Sequence, residues 1–311
     1  MSPAEPASEL RGLIFDIERF ATKDGPGIRT VVFFKGCTLR CAWCQNPESQ
    51  DRQPQIMYDA TRCRGCGRCL ECCPHGAIRK SDRYGLVVDP LACRACGECC
   101  SACYYDARRL VGRSYSVPEL MREILRDKSF YENSGGGVTF SGGEPLLQPE
   151  FLEEICRQCR HSGVHTAVET CGHVSWRAFT RVVPFLDLVY YDLKQVDPEL
   201  HRRDTGAANE RVLDNLKSLS REAVPLVVRI PVVPGRNDCL EVQRAILRFV
   251  ASLPRVDGVE LLPFHRLGSS KYTGLGREYP FEGVESLSRE DLAEIKALGE
   301  SLGLPMRIGS V

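Results

Sequence analysis

Thirteen of the chain's seventeen cysteines lie between Cys37 and Cys103, and that crowding limits what the chain can fold into more than any other feature of the sequence. A chain of 311 residues buries a full core by itself and needs no disulfide framework. No stretch approaches the ~18–20 apolar residues of a membrane span, and Met1–Leu10 lacks the basic start and apolar run of a secretion leader. The expected localisation is therefore cytoplasmic, where a reducing thiol pool disfavours disulfides and thiolate ligation of metal becomes the leading explanation for the cysteines. The 41 Lys+Arg balance 41 Asp+Glu with the signs mixed along the chain. That balance leaves no basic footprint for nucleic acid or an anionic membrane, and neither is an expected partner.

From 53 to 108 the apolar runs are short and the cysteines frequent, the texture of a small module organised by metal rather than hydrocarbon. The flanks, 1–52 and 109–311, alternate strand and helix patterns. Strands are expected at Thr30–Lys35, Gly137–Phe140, His165–Val168, Leu188–Leu193, Leu226–Ile230 and Val259–Pro263. Ser116 with Glu119 forms a capping box ahead of Leu120, and Pro118 sits in the first turn, where its missing N–H is harmless. Ser288 with Asp291 opens another helix, with Leu292, Ile295 and Leu302 on one face and Pro305 past its end. Repeated strand–helix–strand units predict a parallel sheet with crossover helices. The expected fold is α/β, a partial (β/α)6 TIM-like barrel with chemistry at the C-terminal ends of its strands, interrupted by the cysteine-rich insert.

Inside the insert one motif occurs twice, thirty residues apart: Cys63-x2-Cys66-x2-Cys69-x3-Cys73-Pro74, then Cys93-x2-Cys96-x2-Cys99-x3-Cys103. Two-residue steps let one loop present three thiolates to three corners of an iron–sulfur cube, while the fourth cysteine reaches across to the other cluster. One 4Fe–4S cluster is then expected on Cys63, Cys66, Cys69 and Cys103, and the other on Cys93, Cys96, Cys99 and Cys73. Zinc also takes thiolate pairs at this spacing, but its sites separate two pairs by a longer knuckle. The segment resembles a bacterial two-cluster ferredoxin, with Tyr104 where the second motif would carry proline. Cys72 and Cys100 are assigned no ligand role.

A different loop follows the first strong strand: Cys37-x3-Cys41-x2-Cys44, with Trp43 before the last cysteine. Three thiolates on a four-iron cube leave one iron without a protein ligand, much as a catalytic zinc keeps a position open. On the loop alone, zinc or a structural cluster completed by Cys171 competes with that reading. Ser141-Gly142-Gly143-Glu144-Pro145 directly follows the GVTF strand; alone it would be an ordinary turn, but placed after this cysteine loop and a strand its glycines let the backbone turn sharply and approach a ligand.

The cysteine loop and the GGE sequence together resemble the signature of radical S-adenosylmethionine enzymes. The resemblance narrows to the activating enzymes of glycyl radical enzymes, the group of pyruvate formate-lyase activating enzyme, and covers nearly the whole chain. Asp24-Gly25-Pro26-Gly27-Ile28-Arg29 precedes the cluster loop, and Asp192-Leu193-Lys194 ends a strand. Arg229 lies before Val232-Val233-Pro234-Gly235, and Leu262-Pro263-Phe264-His265-Arg266-Leu267-Gly268 closes the last strand. Members with a ferredoxin-like insert directly after the radical cluster loop serve glycyl radical enzymes other than pyruvate formate-lyase.

The resemblance implies an anaerobic oxidoreductase that reductively cleaves S-adenosylmethionine to a 5′-deoxyadenosyl radical and takes the α-hydrogen of a glycine in a partner enzyme. That partner would handle choline, glycerol, isethionate or an aryl acid. Cys37, Cys41 and Cys44 would hold the cluster that binds S-adenosylmethionine, and Gly142, Gly143 and Glu144 would receive the amino group of its methionine part. Glu169, Asp192, Lys194, Arg229 and His265 would surround the same molecule, Lys194 and Arg229 as donors to its carboxylate and ribose region and Lys194 among the catalytic residues, and Trp43 would pack near adenine. A monovalent cation would sit on oxygens of Glu169, Thr170, Asp192 and Leu193. A monomer reduced by a low-potential flavodoxin or ferredoxin completes the expectation. Its competitors are a radical peptide-modifying enzyme with auxiliary clusters and an electron-transfer protein of ferredoxin type. Cys156, Cys159, Cys171 and Cys239 are expected to pack as small hydrophobes. Ser162 and Gly163 break the helix between His161 and His165, and these two, with His75, His173 and His201, are assigned no role.

Overall fold

A computed structural model describes residues 9–309. The expectation of a chain without a leader, drawn from Met1–Leu10, therefore lies outside the described residues except at its last two positions. Strand β1 (Arg11–Ala21) runs antiparallel to β2 (Arg29–Phe34), after which the chain forms the Cys37–Cys44 loop and leaves the main sheet. The excursion holds β3 (Gln55–Tyr58), a one-turn helix α1 (Arg68–Glu71) and a hairpin of β4 (Ile78–Ser81) and β5 (Gly85–Val88). It ends with a second one-turn helix α2 (Glu98–Ser101) and β6 (Arg108–Val111). β6 pairs antiparallel with β3, stitching the ends of the insert together. The insert therefore runs to Val111, past the expected boundary at 108, because Arg108–Val111 belongs to its own small sheet.

The chain returns as β7 (Arg113–Ser116), whose last residue caps α3 (Val117–Leu125). The expected capping box is formed: the Ser116 N–H donates to Glu119 Oε2 at 2.7 Å and the Glu119 N–H donates to Ser116 Oγ at 3.4 Å. Next come α4 (Lys128–Ser134), β8 (Gly137–Gly142), α5 (Pro149–His161), β9 (His165–Thr170), α6 (Trp176–Val182) and β10 (Leu188–Asp192). They are followed by α7 (Pro198–Thr205), α8 (Glu210–Leu219), β11 (Leu226–Val232), α9 (Leu240–Ala251) and β12 (Gly258–Pro263). The last elements are α10 (Ser269–Gly274), α11 (Ala293–Ser301) and β13 (Met306–Ile308). Ser288 and Asp291 hydrogen-bond as expected at a helix start, but they open a single 3-10 turn over Glu290–Leu292 that leads into α11.

The main sheet has nine strands in the order β13-β12-β11-β10-β9-β8-β2-β1-β7. Every neighbouring pair from β13 to β2 is parallel, and β1 is antiparallel to both its neighbours. A mostly parallel sheet must be covered on both faces, and the interior strands are correspondingly apolar: Leu226–Val232 is buried at every position but Pro231. Crossover helices bury amphipathic faces against it, with Leu120, Ile124, Leu152, Ile155, Leu216 and Leu247 all in one core. Cys156 and Cys159 belong to that core, as expected. Cys239 does not: it is exposed just before α9. α5 ends at His161 and β9 begins at His165, so the two histidines share no helix face. No helix among the described residues is long and apolar enough to cross a membrane.

Candidate functional site

Because the strands are parallel, the loops leaving their C-terminal ends meet on one side. A cavity of about 240 Å³ opens there, lined from six successive strand ends, β11 among them through Pro231 and Val233. The loop after β2 contributes Cys37, Cys41, Trp43 and Cys44; the end of β8 contributes Gly142 and Gly143; β9 and β10 contribute Glu169 and Asp192, with Lys194 just beyond; and His265 follows β12.

The cysteine loop is held by its backbone. The Arg40 N–H donates to the Thr205 carbonyl at 2.7 Å and the Ala42 N–H to that of Asp204 at 3.0 Å, so the C-terminal turn of α7 pins the loop's middle. Trp43 is buried with Val233, Phe264, Tyr272, Tyr279 and Phe281, which packs the loop against the segment after β12. The glycines of the second loop are required by close approach. A Cβ on Gly143 would fall 2.2 Å from the Gly36 carbonyl oxygen, and one on Gly142 would fall 2.6 Å from the Phe34 backbone, where φ is +109°. The approach is used: the Gly143 N–H donates to the Phe34 carbonyl and the Glu144 N–H to that of Gly36, each at 2.8 Å.

Two expected contacts lie away from the cavity wall. Glu144 is fully buried and its carboxylate accepts from the Leu146 and Cys171 N–H groups at 3.1 and 2.9 Å and from the Thr170 hydroxyl at 2.8 Å. It ties the end of β8 to the end of β9. Arg229 lies beneath the cavity, its guanidinium stacked 3.7 Å from the Tyr190 ring centroid, paired with Glu169 and donating to Glu260 at 2.8 Å. Burial works against its charge, but Glu169 and Glu260 more than compensate and keep it protonated. It thereby orients Glu169, whose other oxygen accepts from the Ser141 hydroxyl at 2.5 Å. Lys194 follows the same pattern: burial opposes its charge, and Asp192, at 3.0 Å, with Cys41 outweighs burial.

Three further residues at the site were assigned no role there from sequence. Cys171, expected to be a packing residue, lines the cavity, and its thiol donates to Glu144 Oε2 at 3.0 Å. Its position immediately after β9 was the available clue. Gln45, next to Cys44, donates from its side chain to the His265 carbonyl at 2.9 Å and accepts from the Gly268 N–H at 2.9 Å. Asp24, half-buried close to Glu169, is pushed up to about 6, by loss of water first and then by that neighbouring carboxylate.

The donor set fits a thiophilic cofactor and a polar ligand. Burial pushes the Cys41 thiol up to about 12 and the Cys44 thiol to about 11, so thiolates here need a strongly positive partner such as a metal cluster. His265 Nδ1 is buried without a hydrogen-bond partner among the described residues, an acceptor or donor left over for a ligand. Three or more His, Cys, Asp or Glu side chains nowhere converge on a single ion position among the described residues.

The insert carries two further small cavities. One is lined by Cys63, Cys66, Cys69 and Cys103, the other by Cys93, Cys96, Cys99 and Cys73, while Cys72 and Cys100 line neither. The two halves repeat locally as well: Gly67 and Gly97 each precede a one-turn helix in the left-handed conformation, at φ of 78° and 84°.

Comparison with known proteins places these features in context. Residues 92–244 match the Radical SAM superfamily and residues 56–78 match a 4Fe-4S binding domain. The isethionate sulfite-lyase activating enzyme of Nitratidesulfovibrio vulgaris is 43% identical over 295 residues, covering 92% of this chain and 94% of that protein. The trans-4-hydroxy-L-proline dehydratase activating enzyme of Clostridioides difficile is 42% identical over 304 residues, covering 96% of this chain and all of that protein. Among solved structures, a radical SAM methyltransferase from Sphaerobacter thermophilus shares the fold, with a TM-score of 0.51 at 14% identity over 90% of this chain and 66% of that one.

Proposed function

The chain belongs to the glycyl radical enzyme activating enzymes of the radical S-adenosylmethionine superfamily, and from that membership we propose how its residues divide the work and which partner it serves. The observation that carries the assignment is the meeting of the Cys37–Cys44 loop and the Gly142–Gly143 loop in one cavity with Glu169, Asp192, Lys194 and His265. The protein is an oxidoreductase that activates a partner glycyl radical enzyme. A 4Fe–4S cluster on Cys37, Cys41 and Cys44, when bound, supplies the electron that cleaves S-adenosylmethionine to methionine and a 5′-deoxyadenosyl radical, which takes the α-hydrogen of the partner's glycine.

The chain's own side chains bind, orient and shield. Lys194, kept protonated beside Asp192, offers a fixed cation to the methionine carboxylate. The edges of Gly142 and Gly143 leave room for the amino end, and the free Nδ1 of His265 meets the ribose and adenine side of the ligand. Trp43 and Phe264 close the pocket to water with apolar surface. Glu144 and Arg229 act as positioning residues, the first joining β8 to β9 and the second holding Glu169. A monovalent cation on Glu169, Thr170 and Asp192 would compete with Arg229 and Lys194 for the same carboxylates, so its binding is weak in this chain.

The framework is a partial (β/α)6 barrel formed by the segments before and after the insert, and the insert, extended by β6 to Val111, is a ferredoxin-like domain of two further 4Fe–4S clusters. The crossed cysteine sets that line the two insert cavities support that reading. Partners of the isethionate, hydroxyproline or choline kind fit the relatives better than pyruvate formate-lyase. The protein works in the cytoplasm as a monomer, reduced by flavodoxin or ferredoxin. Anaerobically reconstituted, reduced protein should form 5′-deoxyadenosine from S-adenosylmethionine and raise a glycyl doublet in electron paramagnetic resonance of its partner. Cys41→Ala should abolish both, and cleavage that persists in that variant would overturn the cluster assignment.

A further inference from the structure

A second cavity, of about 940 Å³, opens beside the first, and His265 lines both. It lies near the upper limit for small-molecule sites and is roomier than S-adenosylmethionine requires. Its two walls differ in how firmly they are held. One is the segment after β12, which Gln45 fastens at His265 and Gly268, and which Lys271 anchors through Glu48 at 2.8 Å. Tyr272, Tyr279 and Phe281 bury the same segment against Trp43. The opposite wall is the turn between β4 and β5 of the insert, represented by Arg83 and Tyr84. It meets the first wall through Arg83, paired with Glu278 at 3.0 Å and with Glu282 at 3.7 Å, and all three side chains are more than half exposed. Exposed pairs of this kind hold weakly. The tip of that turn is therefore the less firmly held part of the groove, although β5 behind it packs through Val87 against Gly276.

We propose that this groove takes up the glycine-bearing loop of the partner enzyme as an extended chain and leads it past His265, so that the insert forms part of the docking surface. The inference rests on the activating-enzyme reading. The lining suits main chain rather than a packed element: Ser269, Ser270, Thr273 and Ser286 offer short hydroxyls to peptide N–H and C=O groups. Leu267, 72% exposed, offers a single apolar anchor. An amphipathic helix would need an apolar stripe, and nucleic acid a wall of one sign, whereas Arg83, Arg266 and Arg277 alternate here with Glu278 and Glu282. Continuity with the inner cavity at His265 joins the groove to the place where a glycine must arrive.

The test uses reconstituted full-length protein with each glycyl radical enzyme of the source organism, titrating the one that acquires a radical. Leu267→Asp and Arg83→Glu should each raise the partner concentration for half-maximal radical formation by about ten-fold or more, the size of a typical interface contact. Cleavage of S-adenosylmethionine without partner should stay at the wild-type rate in both. If wild-type protein cleaves S-adenosylmethionine but charges no partner, the activating-enzyme reading falls and the groove with it. If the partner is charged and both variants titrate like wild type, the groove is wrong and the activity stands. Should a variant lose partner-free cleavage, hydrogen exchange on the wild-type complex decides. Protection of 81–85 and 266–286 by the partner supports the groove, and protection confined to other segments overturns it.

Discussion

Asp24 sits where the loop between β1 and β2 passes close to Glu169, and both are carboxyl groups with little water. Burial first, then Glu169, push Asp24 from 3.8 up to about 6, with Arg229 only partly offsetting them. A raised carboxyl pKa means that the fold prefers the protonated form. The penalty is absent below pH 4, grows as pH rises through 4 to 6, and is complete above that. Asp24→Asn should therefore stabilise the protein at pH 7.5 by about 2–3 kcal/mol, from roughly two pKa units at about 1.4 kcal/mol each. The gain should vanish at pH 4. Thermal unfolding of both proteins across that range checks it, and equal gains at both pH values would show that Asp24 acts through packing rather than charge. The same crowding of charge explains why the site was only partly legible one residue at a time. The sequence around Arg229 and Glu169 marks strand ends, but pairing across β9, β10 and β11 decides that the arginine serves the glutamate rather than the cavity. Glu144 is similar: its place after two glycines was readable, while its acceptance of two backbone N–H groups depends on how β8 meets β9.

Among the elements, the strands carrying the cavity were the readable ones, because β2 and β8 through β12 are short apolar runs between turn residues. β1 was missed because Arg11, Asp16, Glu18 and Arg19 interrupt its apolar residues, and four of its eleven positions are exposed. β7 and β13 are too short to carry a period. Least readable was the junction of α10 with the residues after the cluster loop, where Lys271 meets Glu48, a carboxylate only 1% exposed. Its Oε2 has no hydrogen-bond partner among the described residues, and Lys35 donates to the Glu48 backbone instead. Lys271→Met should leave that carboxylate buried without its close cation and cost about 3 kcal/mol, the lower end for a broken buried pair. Adding Glu48→Gln should restore most of the loss, since both charges then go. Denaturant unfolding of the single and double variants is the measurement, and a double variant no better than the single would mean that the pair is not what joins α10 to the loop.

For the whole molecule, two of the three buried clusters, that of the main sheet and that of the insert, are unequal in kind. The large one packs aliphatic and aromatic side chains from the crossover helices against one face of the main sheet, the face of Val32, Phe34, Val138, Phe140, Val228 and Ile230. The small one has seven buried residues, two of them Cys69 and Cys99, and the side chains packed around it are mostly further cysteines. A hydrocarbon core of that size cannot repay the ordering of some fifty residues at ~1–2 kcal/mol each, whereas metal binding supplies folding free energy directly. The insert should therefore hold its shape through its clusters while the sheet holds its own. Anaerobic removal of iron by a chelator should let amide hydrogens between 59 and 107 exchange rapidly, with β8 through β12 still protected. Loss of protection in both regions together would mean that the insert is part of the sheet's cooperative unit. Retention in both would mean that side-chain packing, with Arg108 stacked on Tyr58 and bonded to the Leu86 carbonyl, suffices without metal. The cysteine repeat would then mark a site carried by a stable fold rather than the cause of that fold.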